Sequence, residues 1–382
     1  MRHKIKHLFL CLLVFLHCSS ANDSLQVGAE RTAKYFPLLK HKAIGVVGNQ
    51  SSLIGTTHLV DSLLSAKLQV VKVFSPEHGF RGTADAGAHI ESGIDEQTGL
   101  PIISLYGSNK KPSPSQLEGI EILVFDIQDV GARFYTYIST LHYVMESAAV
   151  NNIPLIVLDR PNPNGHYIDG PILDTAYRSF VGMHPIPIVH GMTIGEYAQM
   201  INGEKWLKDS LECDLTVIPM LEYNKQIPYD LPVKPSPNLP NAQAVNLYPS
   251  LCLFEGTNVS VGRGTDLPFQ HFGAPFLESD YSFVPESGAG AKYPKHEGER
   301  CYGQDLSQFA SLSQLDLSFI IYAYNECPEK ENFFNTFFDK LAGGNTLRLS
   351  ITDGKSEEEI RQSWSEELLE FEQMRNTYLI YQ

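Results

Sequence analysis

The sequence has little positive charge, and this bounds its partners. Its 382 residues carry 29 Lys and Arg against 44 Asp and Glu, which gives a formal net charge of -15 at pH 7. A protein that binds nucleic acid needs a basic stripe to displace counterions from the phosphates, and the sequence contains none. We therefore expect no nucleic-acid partner, although a few well-placed arginines can still hold an anionic ligand.

Cysteines are few and widely spaced. Beyond the N-terminal region they are Cys213, Cys252, Cys301 and Cys327. No C-x-x-C pair indicates a zinc or thiol redox site, so we expect no metal. One or two disulfides and single buried thiols fit this spacing equally well.

The sequence also lacks a segment that could span a membrane, which takes about 20 apolar residues. Its N-terminal apolar run, Leu8–Leu16, is shorter, follows three basic residues and precedes a small-residue site ending at Ala21. This pattern is typical of a secretory signal peptide, so we expect residues 1–21 to be removed and the protein to be periplasmic or extracellular. A lipid anchor on Cys18 is the alternative, but His17 before it is larger than the residue usual there.

Motifs for nucleotides and for several hydrolase classes are absent. The loop after the first β-branched run, Gly48–Ser52, lacks the G-x-G-x-x-G glycines that let a dinucleotide approach a helix N-terminus. Gly262-Arg263-Gly264 is an isolated G-x-G that a backbone turn explains. No G-x-S-x-G, H-E-x-x-H or Walker pattern occurs. We expect no nucleotide cofactor, and serine hydrolases, zinc proteases and NTPases are disfavoured.

Short β-branched runs alternate with helical patterns between Lys42 and Asp159, and this alternation predicts βαβ units around a parallel sheet. Apolar residues at helical spacing from Phe134 to Ala148 predict the crossover helix between the last two strands. The predicted strands are Ala43–Val47, Val70–Phe74, Ile102–Leu105, Ile122–Phe125 and Leu155–Leu158.

The chain is longer than one hydrophobic core usually supports, so we expect two domains. A stretch rich in Pro, Gly and Asn, from Arg160 to Pro187, marks the boundary, which we place at residue 170. The pattern then predicts a smaller α/β domain over residues 171–382. Its predicted elements are a helix over Thr193–Ile201, an extended segment over Leu215–Pro219, a strand over Asn258–Val261, and helices around Leu315–Tyr324, Phe333–Leu341 and Glu357–Met374.

Polar residues follow the predicted strands at their carboxyl ends. They are Asn49 and Gln50, Glu77 and His78, Asp126, Gln128 and Asp129, and Asp159 and Arg160. In an open parallel sheet these ends face one crevice, so we expect the side chains to converge there. Asp and Asn also cap helices and make turns, and for a single residue that role is the more frequent one.

Glu77 has the surroundings of a catalytic carboxyl. It lies between Pro76 and His78 in a tight segment that ends in Gly79, and Arg81 follows closely. A carboxyl fixed beside an imidazole and an arginine can act as a general acid or base. A surface ion pair between Glu77 and Arg81 explains the same residues equally well.

Other polar segments suit a carbohydrate better than a nucleotide. Val124–Tyr135 places two acids, an amide, an arginine and an aromatic at one strand-to-helix junction. Amides and carboxylates recognise sugar hydroxyls, and aromatic rings stack on pyranose faces. Lys234–Asn241 and Phe254–Asn258 are polar loops among prolines and glycines, where ordered backbone can present side chains to a cleft.

These motifs together resemble the exo-β-N-acetylmuramidases of peptidoglycan recycling, glycoside hydrolase family 171. The motifs that carry the resemblance are Val47–Ser51, Phe74–Gly82, Phe125–Tyr137, Leu158–Pro163 and Phe254–Thr257. They span nearly the whole mature chain in the same order. The resemblance implies a Rossmann-like domain without a nucleotide over residues 22–170, a smaller α/β domain over 171–382, and an active-site cleft between them.

The resemblance also implies a reaction, the release of N-acetylmuramic acid from the non-reducing end of peptidoglycan fragments. The glutamate of the Pro-Glu-His-Gly motif falls on Glu77. The sugar carries a lactyl carboxylate, so we expect at least one arginine to bind it. The candidates on the polar loops are Arg81, Arg133, Arg160 and Arg263.

Glycoside hydrolysis takes a second carboxyl group or the acetamido group of the substrate. The second carboxyl stays open among Glu91, Asp126, Asp129, Asp159 and Glu255. We expect Glu77, His78 and Asp126 to be catalytic. We expect the substrate to bind Asn49, Gln50, Arg81, Asp129, Arg133, Tyr135, Arg160, Asn162, Asn238, Glu255 and Arg263.

The strongest alternative is an exported sugar-binding protein that closes two α/β domains on a ligand without turnover. Both readings share the cleft, the chain length and the signal peptide. Release of a chromophore from an aryl N-acetylmuramide separates them, because only the enzyme turns it over.

Overall fold

The structure of the protein, a computed structural model, describes residues 25–77, 79–81 and 92–382. The predicted signal peptide and Cys18, the catalytic candidate His78 and the candidate carboxyl Glu91 lie outside the described residues. The strands are β1 (Ile44–Gly48), β2 (Leu53–Ile54), β3 (Thr57–His58), β4 (Val70–Ser75), β5 (Gly93–Ile94), β6 (Pro101–Ser104), β7 (Ile122–Asp126), β8 (Leu155–Leu158), β9 (Leu215–Ile218), β10 (His271–Ala274), β11 (Tyr281–Phe283) and β12 (Cys301–Asp305). The α-helices are α1 (Thr32–Leu39), α2 (Leu59–Ser65), α3 (Pro114–Leu117), α4 (Tyr137–Val150), α5 (Ile194–Gly203), α6 (Ala242–Leu251), α7 (Ser318–Glu326), α8 (Phe338–Ala342), α9 (Thr346–Thr352), α10 (Glu357–Gln362) and α11 (Ser365–Asn376).

The central sheet has the strand order β5-β6-β4-β1-β7-β8-β9, and its pairs are parallel except β5 with β6. The five predicted strands are confirmed within about one residue at each end. The six parallel strands follow the Rossmann order, in which the chain builds outward from β1 to one side and then returns to β7 on the other. The carboxyl ends of β1 and β7 therefore flank the point where such folds bind their ligands.

Alternating side chains on the strands divide the apolar residues between two cores. On β7, Ile122 and Val124 face a smaller core with α1 and α2, whereas Leu123 and Phe125 face a larger one with α4 and α5. The larger core continues into the residues around α6 to α11 without a break. The sheet also continues past residue 170, because β9 pairs in parallel with β8.

The predicted crossover helix is confirmed as α4, and the predicted helix at Thr193 is confirmed as α5. The Thr193 hydroxyl accepts the Glu196 N–H at 3.3 Å, and the Glu196 carboxylate accepts the Thr193 N–H at 2.9 Å. This reciprocal cap explains why α5 begins at Ile194.

The remaining residues form a three-stranded antiparallel sheet, ordered β10-β12-β11, with helices α6 to α11 around it. The helices predicted around Leu315–Tyr324 and Phe333–Leu341 are present in shorter or shifted form as α7 and α8. The predicted strand over Asn258–Val261 is wrong, since only Ser260 pairs there, in a single bridge to Gly273.

The single helix predicted over Glu357–Met374 is also wrong. It is broken into α10 and α11 at Ser363 and Trp364. The Ser363 hydroxyl donates to the Ile360 carbonyl at 2.6 Å, and Trp364 turns into the core, where it is 4% exposed. The buried indole ring thus lies at the break between α10 and α11.

The four described cysteines are buried free thiols, so the structure selects the thiol reading over disulfides. Within the described ranges, no helix is both long enough and apolar enough to cross a bilayer.

Buried histidines join α4 to the segment before α5. His184 lies 2.9 Å from the Nδ1 of His142 through its Nε2, and 2.7 Å from the Tyr197 hydroxyl through its Nδ1. Glu146, Arg178 and Lys111 are the charged groups around His142. Burial lowers the pKa of His142 to about 4 and holds the pKa of His184 well below its ordinary value.

The shift at His142 predicts a contribution to stability that is lost in acid. An unfolded histidine takes up a proton near pH 6.5, but the folded His142 does so only near pH 4. At this site the unfolded state therefore binds the extra proton, which lowers the free energy of unfolding by up to about 3 kcal/mol as pH drops from 6.5 to 4. The buried carboxyl of Asp159, whose pKa is raised to about 7, contributes in the opposite direction, because the folded state takes up its proton first. Chemical denaturation between pH 7 and 4.5 measures this dependence.

The variant His142→Gln removes this contribution, so the free energy of unfolding of the wild type, relative to that of the variant, should fall as pH drops from 6.5 to 4. A difference between the two proteins that is constant between pH 7 and 4.5 would contradict this account.

Candidate active site

A pocket opens at the carboxyl edge of the parallel sheet and draws on both halves of the chain. Its empty space, continuous with solvent, is about 450 Å³. Aromatic rings form much of its wall, with one carboxyl and one guanidinium among the described residues. The lining residues are Glu77, Phe134, Tyr135, Thr136, Tyr137, Ser236, Asn238, Leu239, Tyr248, Arg263 and Phe269.

Glu77 enters the pocket from the loop that follows β4 and is half-buried. Its side chain hydrogen-bonds Tyr106, which follows β6, and burial together with the Glu77 carboxylate raises the pKa of Tyr106. Gly79 has a φ of +79°, and its N–H donates to the Pro76 carbonyl at 3.2 Å. Glycine adopts this conformation without strain, which explains the tight segment beside Glu77.

Tyr137, at the start of α4, contacts the backbone of Glu77. Its hydroxyl accepts from Asn49 Nδ2 at 3.0 Å and lies 3.4 Å from the carbonyl oxygens of both Glu77 and Pro235. The neighbouring Tyr135 hydroxyl donates to the Pro235 carbonyl at 2.7 Å. The two tyrosines thus bind the pocket loop that continues to Ser236.

Asn49 and Gln50, which we predicted to bind substrate, contact protein groups and do not line the pocket. Asn49 is fully buried, and its Oδ1 accepts from the N–H and hydroxyl of Ser51 at 2.9 and 2.6 Å. Gln50 Nε2 lies 3.3 Å from the carbonyl oxygens of both Lys234 and Pro235. Both side chains therefore tie the strand-end loop to its surroundings.

Two of the predicted lactyl-binding arginines are occupied away from the pocket. Arg81 pairs with Asp61 on α2 at 3.2 Å and with Asp95 at 2.8 Å. Arg133 is fully buried, and its guanidinium donates to backbone carbonyls only. Those carbonyls belong to Pro171, Ile186 and Leu341, at 2.8, 2.6 and 2.9 Å. Burial lowers the pKa of Arg133 to about 9.

A third predicted arginine is paired with a predicted catalytic residue. Arg160 Nε lies 2.6 Å from Asp126 Oδ1, and its Nη2 lies 2.9 Å from Asp126 Oδ2 and from the Leu53 carbonyl. Asp126 is fully buried at the end of β7. The two side chains thus form a bidentate pair, and neither lines the pocket, so their contact with substrate stays a prediction.

Arg263 is the predicted arginine that does line the pocket. Its Nε lies 2.8 Å from Glu255 Oε1, and its guanidinium lies over the Phe269 ring at 5.0 Å. Burial alone would raise the pKa of Glu255, but the Arg263 guanidinium and Lys295 hold it below its usual range. Lys295, Arg263 and Glu255 together carry one net positive charge beside the pocket.

The other predicted acids and amides are buried around the sheet edge. Asp129 accepts the Gly131 N–H at 2.7 Å and lies 3.7 Å from His190 Nε2. Asn162 accepts the Asn164 N–H at 2.8 Å and donates to the Met192 carbonyl at 2.8 Å. None of these side chains lines the pocket.

Asp159, one of the candidates for the second carboxyl, is fully buried at the end of β8. It accepts from the hydroxyls of Thr193 and Tyr381 and from the Gly195 N–H, at 2.7–2.8 Å. Burial raises the pKa of Asp159 to about 7. Its contacts join β8 to α5 and to the C-terminal residues, so it serves the fold at this edge.

Four of the predicted site residues line the pocket, namely Glu77, Tyr135, Asn238 and Arg263. Glu255 contributes through its ion pair with Arg263. Asn238 is held by the donation of its Nδ2 to the Gly290 carbonyl at 2.7 Å. Sequence reasoning missed the rings of Phe134, Tyr137, Tyr248 and Phe269, because apolar periodicity assigns such residues to the core. It also missed Tyr106, which no motif marked, and it named the loop of Ser236 without naming Ser236 itself.

Two family models together match most of the chain. A family model described as "Exo-beta-N-acetylmuramidase NamZ, N-terminal" matches residues 44–243, and one described as "Exo-beta-N-acetylmuramidase NamZ, C-terminal" matches residues 246–381. A curated relative, the peptidoglycan beta-N-acetylmuramidase NamZ of Bacillus subtilis, is 43% identical over 378 residues. The match covers 91% of this chain and 89% of the relative.

Two solved structures share the fold. Both are DUF1343 family proteins of Bacteroides fragilis, and each match covers 94% of this chain and 99% of the other. One is 47% identical with a TM-score of 0.88, and the other is 29% identical with a TM-score of 0.80. The α/β fold with a mostly parallel sheet is therefore common to all three chains.

Proposed function

Because the chain belongs to the exo-β-N-acetylmuramidase NamZ family, we propose that Glu77 is the proton donor of its reaction and that Arg263 selects its sugar. The protein is a glycoside hydrolase that acts on peptidoglycan and releases N-acetylmuramic acid from the non-reducing end. Family membership favours this reading over the sugar-binding protein considered from the sequence. The observation that carries the proposal is the Glu77 carboxyl in a pocket walled by aromatic rings.

Glu77 has the setting that proton transfer requires. It is half-buried, its backbone is held by the turn at Gly79, and Tyr106 orients its carboxyl. A carboxylic acid fixed in this way can protonate the departing glycosidic oxygen, and the resulting carboxylate can then accept a proton from the attacking water.

The second group of the mechanism is the acetamido oxygen of the substrate. Among the described residues that line the pocket, Glu77 is the one carboxyl, while Asp126 is paired with Arg160. Attack of the acetamido oxygen on the anomeric carbon breaks the glycosidic bond as Glu77 gives its proton to the leaving oxygen. Water then opens the cyclic intermediate and gives its proton to Glu77, so the β configuration is retained.

Arg263 is our candidate for the lactyl carboxylate. All four candidate arginines have protein partners, but Arg263 is the one among them that lines the pocket. The pairing with Glu255 fixes its guanidinium, and Lys295 leaves the cluster with one net positive charge that an anionic sugar can neutralise. A guanidinium offers the carboxylate two parallel hydrogen bonds.

Peptidoglycan lies outside the cytoplasmic membrane, so we also propose that the protein is exported through residues 1–21. The absence of a nucleotide cofactor and of a nucleic-acid partner stays a prediction from the sequence.

The variant Glu77→Gln should lose turnover and keep binding. It preserves size but has no proton to give, so kcat on a natural disaccharide should fall by roughly a hundredfold to ten-thousandfold, with KM nearly unchanged. The loss should be smaller for an aryl glycoside, whose leaving group needs little protonation. Steady-state kinetics on both substrates measure this difference.

The matched control is Glu96→Gln, an exposed glutamate outside the pocket lining, which should keep full activity. Full activity of Glu77→Gln on the disaccharide would move the proton donor to another residue.

The variant Arg263→Met should lose selectivity for the lactyl group. It keeps an unbranched chain over Phe269 and removes the charge, so kcat/KM for an aryl N-acetylmuramide should fall by about 10- to 100-fold, the effect of one charge-assisted hydrogen bond. The matching aryl N-acetylglucosaminide has no carboxylate and should be affected much less. The variant Arg81→Met removes an arginine outside the pocket and is the control. Equal losses on both sugars in Arg263→Met would mean that Arg263 does not read the lactyl group.

A further inference from the structure

The backbone carbonyl of Pro235 has three hydrogen-bond donors near it, which come from two loops at the sheet edge. The Pro235 carbonyl oxygen lies 2.7 Å from the Tyr135 hydroxyl, 3.3 Å from Gln50 Nε2 and 3.4 Å from the Tyr137 hydroxyl. A carbonyl oxygen has two lone pairs, so three donors cannot all be well satisfied there. Tyr135 has the shortest distance, and Tyr137 has the longest.

The Tyr137 hydroxyl has a second acceptor at the same distance, the Glu77 carbonyl at 3.4 Å. Both distances exceed the 2.7–2.8 Å usual for a hydroxyl donor, so the proton is shared between two weak bonds. The hydroxyl oxygen accepts from Asn49 Nδ2 at 3.0 Å and also hydrogen-bonds the Tyr135 hydroxyl. The ring is only 2% exposed, and burial raises the pKa of Tyr137, which keeps the proton on the oxygen.

The two acceptors belong to parts of the pocket that the chain builds separately. Glu77 follows β4, whereas Pro235 precedes Ser236 and Asn238, which also line the pocket. A hydroxyl between the two carbonyls therefore couples the backbone of the proposed proton donor to the loop that carries other pocket residues. A misplacement of about 1 Å at a reacting group is enough to cost about a hundredfold in rate.

We propose that Tyr137 is a positioning residue that ties the backbone of Glu77 to the loop at Pro235, whereas the Tyr135 hydroxyl binds that loop and the Tyr137 hydroxyl. This inference rests on the proposed role of Glu77. The helical pattern assigns Tyr137 to the core, and the proposal gives its buried hydroxyl a role in the active site.

The test is a pair of hydroxyl deletions that leave the rings in place. Tyr137→Phe should lower kcat on a natural disaccharide by about tenfold to a hundredfold with little change in KM, because the proton donor is misplaced. The loss should shrink on an aryl glycoside with a good leaving group. Tyr135→Phe should mainly raise KM, because it loosens the loop that carries Ser236 and Asn238.

A double-mutant cycle shows whether Tyr137 acts through Glu77. In the Glu77→Gln background, Tyr137→Phe should cause little further loss, since no proton donor remains to be positioned. Tyr143→Phe, on the same helix and stacked on Phe180, is the matched control and should keep full activity. Thermal unfolding of each variant shows whether the fold is intact.

Three results would overturn the inference. One is full activity of Tyr137→Phe. Another is an equal loss on the disaccharide and the aryl glycoside, which indicates a purely structural role. The third is an independent, additive loss in the Glu77→Gln background. If Glu77→Gln itself stays active, the proposed function fails first, so the two failures are distinguishable.

Discussion

The pocket depends on the reversal of strand order between β1 and β7. Because the chain builds β4 and β6 on one side of β1 and then returns to build β7, β8 and β9 on the other, the loops after these strands diverge at this point. The divergence opens space at the carboxyl edge, and the later loop at Pro235 to Leu239 fills one side of it. Glu77, from the loop after β4, thereby shares a pocket with residues that lie far away in sequence.

Most polar side chains at this edge form hydrogen bonds and ion pairs with other protein groups. Few of them line the pocket, where they could contact a ligand. The guanidinium of Arg133 is fully buried and donates to three backbone carbonyls, which joins the segments at Pro171, Ile186 and Leu341. The pair of Asp126 with Arg160 and the contacts of Asp159 serve the same purpose. The pocket that remains is mainly aromatic, with one acid and one guanidinium among its described lining residues, which suits a sugar with one carboxylate.

The parallel sheet, the bounds of its strands and the position of Glu77 at the sheet edge could be predicted from the sequence. Each of these features shows as a local pattern, a β-branched run or the loop that follows it. The hydrogen-bond partner of each polar side chain could not be predicted in this way. Nothing local distinguishes Arg263, which faces the pocket, from Arg133, whose partners lie at Pro171, Ile186 and Leu341. Apolar periodicity also assigns Tyr137 to the core. This is correct for its ring but does not predict the contacts of its hydroxyl. The extension of the sheet to β9 escaped prediction because the proline-rich stretch before it resembles a domain boundary.

The central claim is that the sugar binds with its glycosidic oxygen at Glu77 and its lactyl group at Arg263. The most direct measurement is a crystal structure of the Glu77→Gln variant with a disaccharide that has N-acetylmuramic acid at its non-reducing end. The account predicts the glycosidic oxygen about 3 Å from the side chain at position 77 and the lactyl carboxylate paired with the guanidinium of Arg263. A disaccharide bound away from position 77, or a lactyl carboxylate held by Arg81 or Arg160, would contradict it.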